Sequence, residues 1–321
     1  SENSYALIVA ANSLEVLITK FWNNFSSEQK LETRNFVFTY LATRHIAENY
    51  IVGALAKLLC RITKLGWFDN AISAELREIV KETQDFAVMS TSHHLVGIKL
   101  LQALVDEMNT PTATKTLTAH RKTAVSFRDG GLFQAFQMAL NTIKQVQSQV
   151  QSGAAVNGAG ELNSKLINSA MQLSVACLSF DFIGTNPEES HEDVGTVQVP
   201  TSWRPIVQDC EVMKLFFEIY SSHPLPASKL ALQGLVLMSS IRRSVFTNDK
   251  ERSAFLECLM MNIERIMTTR VGLQEPENYH EFCRLLGRLK TCYQLSELVK
   301  ISNFKTFLEL AGNFTIMSFQ S

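Results

Sequence analysis

The side chains of this chain best suited to chemistry are a histidine pair, a glycine-rich stretch and several short runs of like charge, and their spacing argues against catalysis. His93 and His94 are adjacent. On a helix their rings point about 100° apart, so they do not chelate one metal as a pair four residues apart could, and a surface or helix-start pair is the plainer reading. Gly153, Gly158 and Gly160 follow a polar helical pattern rather than a strand and lack the lysine of a phosphate loop. No GxSxG, HExxH or Cys/His metal spacing occurs. The expectation is a protein that is not an enzyme and carries neither cofactor nor metal.

What remains is charge in patches. His120-Arg121-Lys122 with Arg128 reads either as a solvated helix face or as a contact for an acidic partner or for the chain's own acidic loop. Arg242-Arg243, and Arg284, Arg288 and Lys290 near Cys283, read as residues that order helices by bonding to helix ends or acids. Acidic character gathers in one place. Asp181, Glu188, Glu189, Glu192 and Asp193 follow one another with no Lys or Arg before Arg204. Pro187, Gly195, Pro200 and Pro205 exclude a continuous helix there, so the segment near 181–205 is a long excursion between helices. Such a connection is functional or disordered. Disorder suits residues 186–193, whereas Val197, Val199 and Trp203 are residue types that bury.

Composition sets the class. The chain has 321 residues, formal net charge −1, 46% hydrophobic and 19% charged residues, as expected of a globular protein with ample core. Neutral balance removes the simplest argument for nucleic acid. Six scattered cysteines read as buried free thiols of a reducing compartment. The sequons at Asn24 and Asn313 then carry little meaning. No signal peptide is visible, and no apolar run is expected to reach the roughly 18 residues of a membrane span. Apolar helical patterning is already under way at Tyr5 and still under way at Phe314, which reads as a piece of a longer protein.

The elements that position these patches are helices throughout. Patterns predict helices over 5–22, from a Ser26-Ser27 cap through Leu41, and over 46–65 with Gly66 as a stop signal. Further helices are expected over 76–89 and 92–108, then 117–128 and 132–150 turning at Gly130-Gly131. A linker near 151–161 precedes a helix over 162–180. Beyond the loop, Val212, Leu215, Phe216, Ile219 and Tyr220 share one helical face. Helices over 230–246, 249–270, 279–300 and 303–321 follow, and Thr196–Val199 is at most a short extended segment. Roughly six or seven helix pairs at about 40–50 residues each match HEAT or armadillo-type repeats. The predicted fold is all-α, one continuous right-handed superhelix over 1–321 with an extended concave surface.

Several segments also carry a family resemblance that runs the length of the chain. RNFVFTYLATR (34–44), RITKLGWFD (61–69), HRKTAVSFRD (120–129), FDFIGT from Phe180, GTVQVPTSWRP (195–205), SIRRSVF (240–246), NYHEFCRLLGRLK (278–290) and YQLSELVK (293–300) resemble the exportin-7 type of receptor within the importin-β superfamily. The resemblance implies a HEAT-repeat nuclear export receptor, in nucleus and cytoplasm, that binds the GTPase Ran in its GTP form, protein cargo bearing basic patches, and nuclear pore proteins. It implies neither nucleic acid nor membrane insertion. Family members are longer than this chain. By position, Arg34, Arg44, Arg61 and Lys64 would face Ran, with stack-ordering charges as the structural alternative. Glu188, Glu189, Glu192 and Asp193 would suit basic cargo or Ran by charge complementarity. The competing reading is a helical-repeat adaptor without sensitivity to nucleotide state.

Overall fold

The computed structural model describes residues 4–43, 49–151, 159–182 and 196–318. The chain divides into two compact units, Ser1–Glu189 and Ser190–Ser321, with the division inside the 181–205 excursion. Arg44, the 152–158 part of the expected linker, and Glu188, Glu189, Glu192 and Asp193 lie outside the described residues.

The first unit contains α1 (Ser4–Phe21), α2 (Ser27–Thr43), α3 (Asn49–Leu65), α4 (Ser73–Arg77), α5 (Ile79–Ala87), α6 (Thr91–Asn109), α7 (Leu117–Phe127), α8 (Phe133–Gln151) and α9 (Ala159–Leu178). Helix α2 packs on α3, α5 on α6 and α8 on α9, and α1, α3, α6 and α9 stack in a row. The start signals act as expected. Ser26 Oγ accepts from the Gln29 amide at 3.1 Å and Gln29 Oε1 accepts from the Ser26 amide at 3.0 Å, a reciprocal capping box. Ser90 and Thr116 cap α6 and α7 more simply, their hydroxyls accepting from the His93 and Ala119 amides. Helix α3, in the middle of the row, is buried almost all round, with Leu58, Leu59, Cys60 and Ile62 at 1% exposure or less.

Four expectations are corrected here. Gly130-Gly131 make no turn: a π-helical turn, Arg128–Leu132, joins α7 to α8 as one helical run. Gly131 is small because it faces Phe127 and Val80, where an added Cβ would meet ring and methyl carbons at 2.9 and 3.0 Å. Gly66 does follow α3, but its role is close approach; a Cβ there would lie 2.3 Å from Leu76 Cδ1. The expected 76–89 helix divides at Glu78, whose amide bonds to the Glu75 carbonyl three residues back and tightens the chain. Residues 4–24 are, by length and composition, apolar enough to cross a membrane. Within the unit α1 packs on α3, and its buried residues are Ala11, Glu15 and Ile18.

The second unit runs through α10 (Arg204–Val207), α11 (Cys210–Ser222), α12 (Ala227–Ser239), α13 (Asp249–Thr269), α14 (Pro276–Cys292), α15 (Leu295–Leu298) and α16 (Phe304–Ser318). Helices α11 and α12 form a pair, α12 packs on α14, and α13 packs on α11 and α16. The apolar stripe of α11 is buried at all five expected positions. Pro276 is the first residue of α14, a position where its missing amide hydrogen costs nothing. The helix expected over 279–300 stops at Cys292, because Glu297 and Gln294 form a second capping box that starts α15. Among the described residues there is no strand; Val197 makes one parallel bridge to Ile241, and Val199 and Trp203 are buried beside it.

Polar contacts repeat at the expected period. Arg34 and Glu82, His94 and Thr142, Lys229 and Glu277, and Gln233 and Glu281 are each 48 residues apart, and Ser228 and Asn278 are 50 apart. Contacts at this separation join successive helix pairs, as expected of a HEAT-like stack.

Gly234 and Gly287 offer opposite tests of this packing. A Cβ at Gly234 would lie 2.2 Å from Phe216 Cε1, whereas Gly287, exposed in the middle of α14, has nothing within 4 Å. Gly234→Ala should destabilise by about 1–3 kcal/mol, overpacking outweighing the gain in helix propensity. Gly287→Ala should stabilise by about 1 kcal/mol. Urea unfolding of the two variants checks both signs.

Candidate functional site

The densest constellation of charge in the first unit lies along α1, α3 and α6. On α3, Lys57, Arg61 and Lys64 occupy one face at i, i+4 and i+7. Glu107 of α6 faces them and accepts from Arg61 through both oxygens, Nε to Oε1 at 2.7 Å and Nη2 to Oε2 at 3.1 Å. This fork-to-fork geometry is the strong form of the pair. Arg61 also reaches back to α1, donating to Thr19 Oγ1 at 3.1 Å with Glu15 Oε1 3.4 Å away, and Lys57 pairs with Glu15 Oε2 at 3.0 Å. Lys64 Nζ donates to the Glu107 carbonyl at 2.7 Å and to the Thr110 carbonyl, with Glu107 Oε1 at 3.5 Å. The last free carbonyls of α6 thereby gain a cation, satisfying backbone groups that a helix end leaves open.

Arg34 is equally committed. At 2% exposure it grips Glu82 of α5 through both terminal nitrogens, donates to Asn35 Oδ1 at 3.0 Å and lies 5.0 Å from the Phe38 ring centroid. Three of the four cations that position alone would turn towards Ran therefore have partners inside the chain. Sequence reasoning missed Glu15, Lys57 and Glu107. The available signal was the Lys57/Arg61/Lys64 stripe in a helix otherwise too apolar to leave its charges unpaired.

Cations capping helix ends recur. Arg77 donates twice to the Trp67 carbonyl beyond α3, at 3.0 and 2.8 Å, and Arg128 donates to the Phe182 carbonyl beyond α9. In the second unit Arg252, 5% exposed, donates to the Cys292 carbonyl at 2.9 Å and to Glu297 Oε1 at 2.6 Å, beneath the Tyr293 ring. The other patches also have local partners: Arg242 donates to Gln198, Arg243 pairs with Asp249, and Arg284 with Glu281. His93 bonds to the Ser90 cap and His94 to Thr142 across the stack. Cys60, Cys177 and Cys258 are buried thiols as expected, but Cys283 is exposed and Cys210 and Cys292 are half-buried.

The two ends of the acidic excursion are anchored within their own units. Phe180 and Phe182 are buried, with Phe180 tilted against Phe127 and edge-on to Phe182, and the Asp181 amide donates to Asn109 Oδ1 at 2.9 Å. On the far side Val197 exchanges backbone bonds with Ser240 and Arg242, and Arg204 donates to the Val245 carbonyl at 2.6 Å.

No protein-family model matches the chain. Its relatives do. Exportin-7-A of Xenopus laevis is 41% identical over 319 residues, Ran-binding protein 17 of Homo sapiens is 37% identical over 318, and Ran-binding protein 16 of Drosophila melanogaster is 35% identical over 322. Over nearly its whole length the chain is similar to exportin-7 and to Ran-binding proteins 16 and 17. Each match covers 99% of this chain and 29% of the relative. The similarity agrees with the stacked helix pairs, and it leaves the capping cations as features of this segment to be explained by its own packing.

Lys64 gives that explanation a measurable edge. Burial pulls its ammonium down to about 8, against the opposing pull of Glu107. Between pH 8 and the ordinary lysine range the unfolded chain binds more protons than the folded one, so this residue's contribution to stability rises with pH there. Lys64→Met should cost about 1–3 kcal/mol at neutral pH, since the buried Glu107 carbonyl and the Thr110 carbonyl lose a charged donor. The variant should also show a flatter stability profile above pH 8. Denaturant unfolding at a series of pH values tests both.

Proposed function

We propose that this chain is a segment of a non-enzymatic nuclear transport receptor that shuttles between nucleus and cytoplasm, binding Ran in its GTP form, protein cargo and nuclear pore proteins. The observation that carries this is the similarity to exportin-7 and the Ran-binding proteins over 99% of the chain. The mechanism would be linkage. A stack of repeats bonded only to their neighbours can adopt more than one curvature, and two ligands that favour the same curvature raise each other's affinity. In this reading Glu188, Glu189, Glu192 and Asp193 attract a basic cargo surface or Ran by charge complementarity. Arg44 remains a proposed Ran contact. Arg34, Arg61 and Lys64 would contact Ran only by giving up Glu82, Glu107 and the α6 carbonyls, so their main effect on binding would come through the helices they hold.

Those internal commitments also favour the second reading, an adaptor indifferent to nucleotide state, because a stack whose cations serve its own helix ends offers fewer to a GTPase.

Calorimetric titration of the chain with Ran loaded with a non-hydrolysable GTP analogue, and separately with GDP, separates the two. The transport reading predicts binding that is at least about tenfold tighter for the GTP-analogue form. Equal affinities, or none from a folded chain, would favour the adaptor. Charge reversal at Glu188, Glu189, Glu192 and Asp193 should weaken binding of a basic partner and flatten its salt dependence.

A further inference from the structure

Within His120-Arg121-Lys122, Arg121 and Lys122 are exposed, but His120 does not share their solvated face. His120 is 4% exposed and lines a cleft of about 260 Å³ between the end of α3, residues 110–116 and α7. Every ionisable group lining this cleft is basic: Lys64, Lys115, His120 and Lys122. Lys115 and Lys122 are exposed, and Lys122 Nζ stands 4.4 Å over the ring of Phe68, itself 39% exposed. Two polar atoms at the cleft are anomalous. Thr112 Oγ1, on a residue 4% exposed, and His120 Nδ1 are both buried with no hydrogen-bond partner. Buried polar groups left unsatisfied each cost about 1–3 kcal/mol, and these two lie on residues lining the same basic cleft.

We propose that this cleft docks an acidic segment of a partner protein, taking a carboxylate at Thr112, His120, Lys115 and Lys122 and an apolar side chain against Phe68. The hydroxyl of Thr112 and the imidazole N–H of His120 donate to the carboxylate, and the two lysines supply charge. Lys64 contributes field rather than a bond, because its Nζ is held by the Glu107 and Thr110 carbonyls. The electrostatics favour an anion here. Burial pulls the His120 imidazole below its ordinary range, and Lys64 and Arg121 push the same way, with Asp181 the opposing charge. A bound carboxylate would reverse that shift. The volume lies below the roughly 300–1,000 Å³ of small-molecule sites, and fits one or two side chains of a peptide. The exposed aromatic wall has no use in a site for a bare phosphate ion.

The test is fluorescence anisotropy of the chain with a labelled peptide of alternating Glu and Phe, compared with peptides in which Gln replaces Glu or Gly replaces Phe. The proposal expects the Glu/Phe peptide to bind about tenfold or more tightly than either control, with affinity falling as salt rises. Lys115→Glu combined with Lys122→Glu should abolish this preference. Both side chains are exposed, so the variant should keep its fold, checked by circular dichroism. The His120 imidazole pKa, followed by NMR, should rise when the peptide binds. Equal binding of the Glu and Gln peptides, or unchanged binding by the double variant, would overturn the proposal. If inorganic phosphate displaces the peptide and the Gly control binds as well as the Phe peptide, the cleft is a simple anion site and the peptide assignment fails.

Discussion

The first unit depends on a single carboxylate. Glu107 receives the Arg61 guanidinium through both oxygens, while its own backbone carbonyl receives Lys64. Arg61 carries the contact on to Thr19 and Glu15 of α1. Three helices that are far apart in sequence are thereby held at one register by groups on one face of α3. Each of these charges is mostly removed from water, so the pairs are not optional ornaments of the surface. A buried pair adds little compared with a well-packed apolar replacement, but breaking it by removing one member costs about 3–5 kcal/mol, because the partner is stranded. The network's role is therefore to specify how α1, α3 and α6 align, on top of the apolar burial that drives them together.

The same device appears at other helix ends. Arg77, Arg128, Arg204 and Arg252 each give their guanidinium to a backbone carbonyl near the end of a helical or 3₁₀ segment. A repeat stack creates many such ends, and each leaves carbonyls without intrahelical partners. A long cationic side chain from the adjoining element satisfies them and favours the negative pole of the helix dipole. This accounts for how a chain of near-zero net charge can look locally basic in sequence yet offer few free cations. The cleft at Thr112 and His120 differs in that every ionisable group lining it is basic.

Much of the helical framework was legible from residue types. The α11 face, the Ser26 cap and a helix-pair length of about 40–50 residues followed from helical spacing and start signals. The misses have common causes. Gly130 and Gly131 look like a turn, but glycine also admits close packing against Phe127, and one sequence cannot distinguish the two demands. Cys292–Gln294 hold the break in 279–300 through Arg252 and Glu297, and Arg252 lies forty or more residues away. Arg61 and Lys64 were visible as charges on an apolar helix, whereas Glu15 and Glu107, which decide their role, are chosen by the fold. His120 looked solvated because its neighbours Arg121 and Lys122 are.

A double-mutant cycle on Arg61 and Glu107, read by denaturant unfolding, tests the central claim most directly. Arg61→Ala and Glu107→Ala should each destabilise, and the double variant should lose about 1–3 kcal/mol less than the sum of the two, since either single change already breaks the pair. Strict additivity would contradict the account: the cations of α3 would then be free of structural duty, and Arg61 and Lys64 would return as candidates for direct contact with a partner.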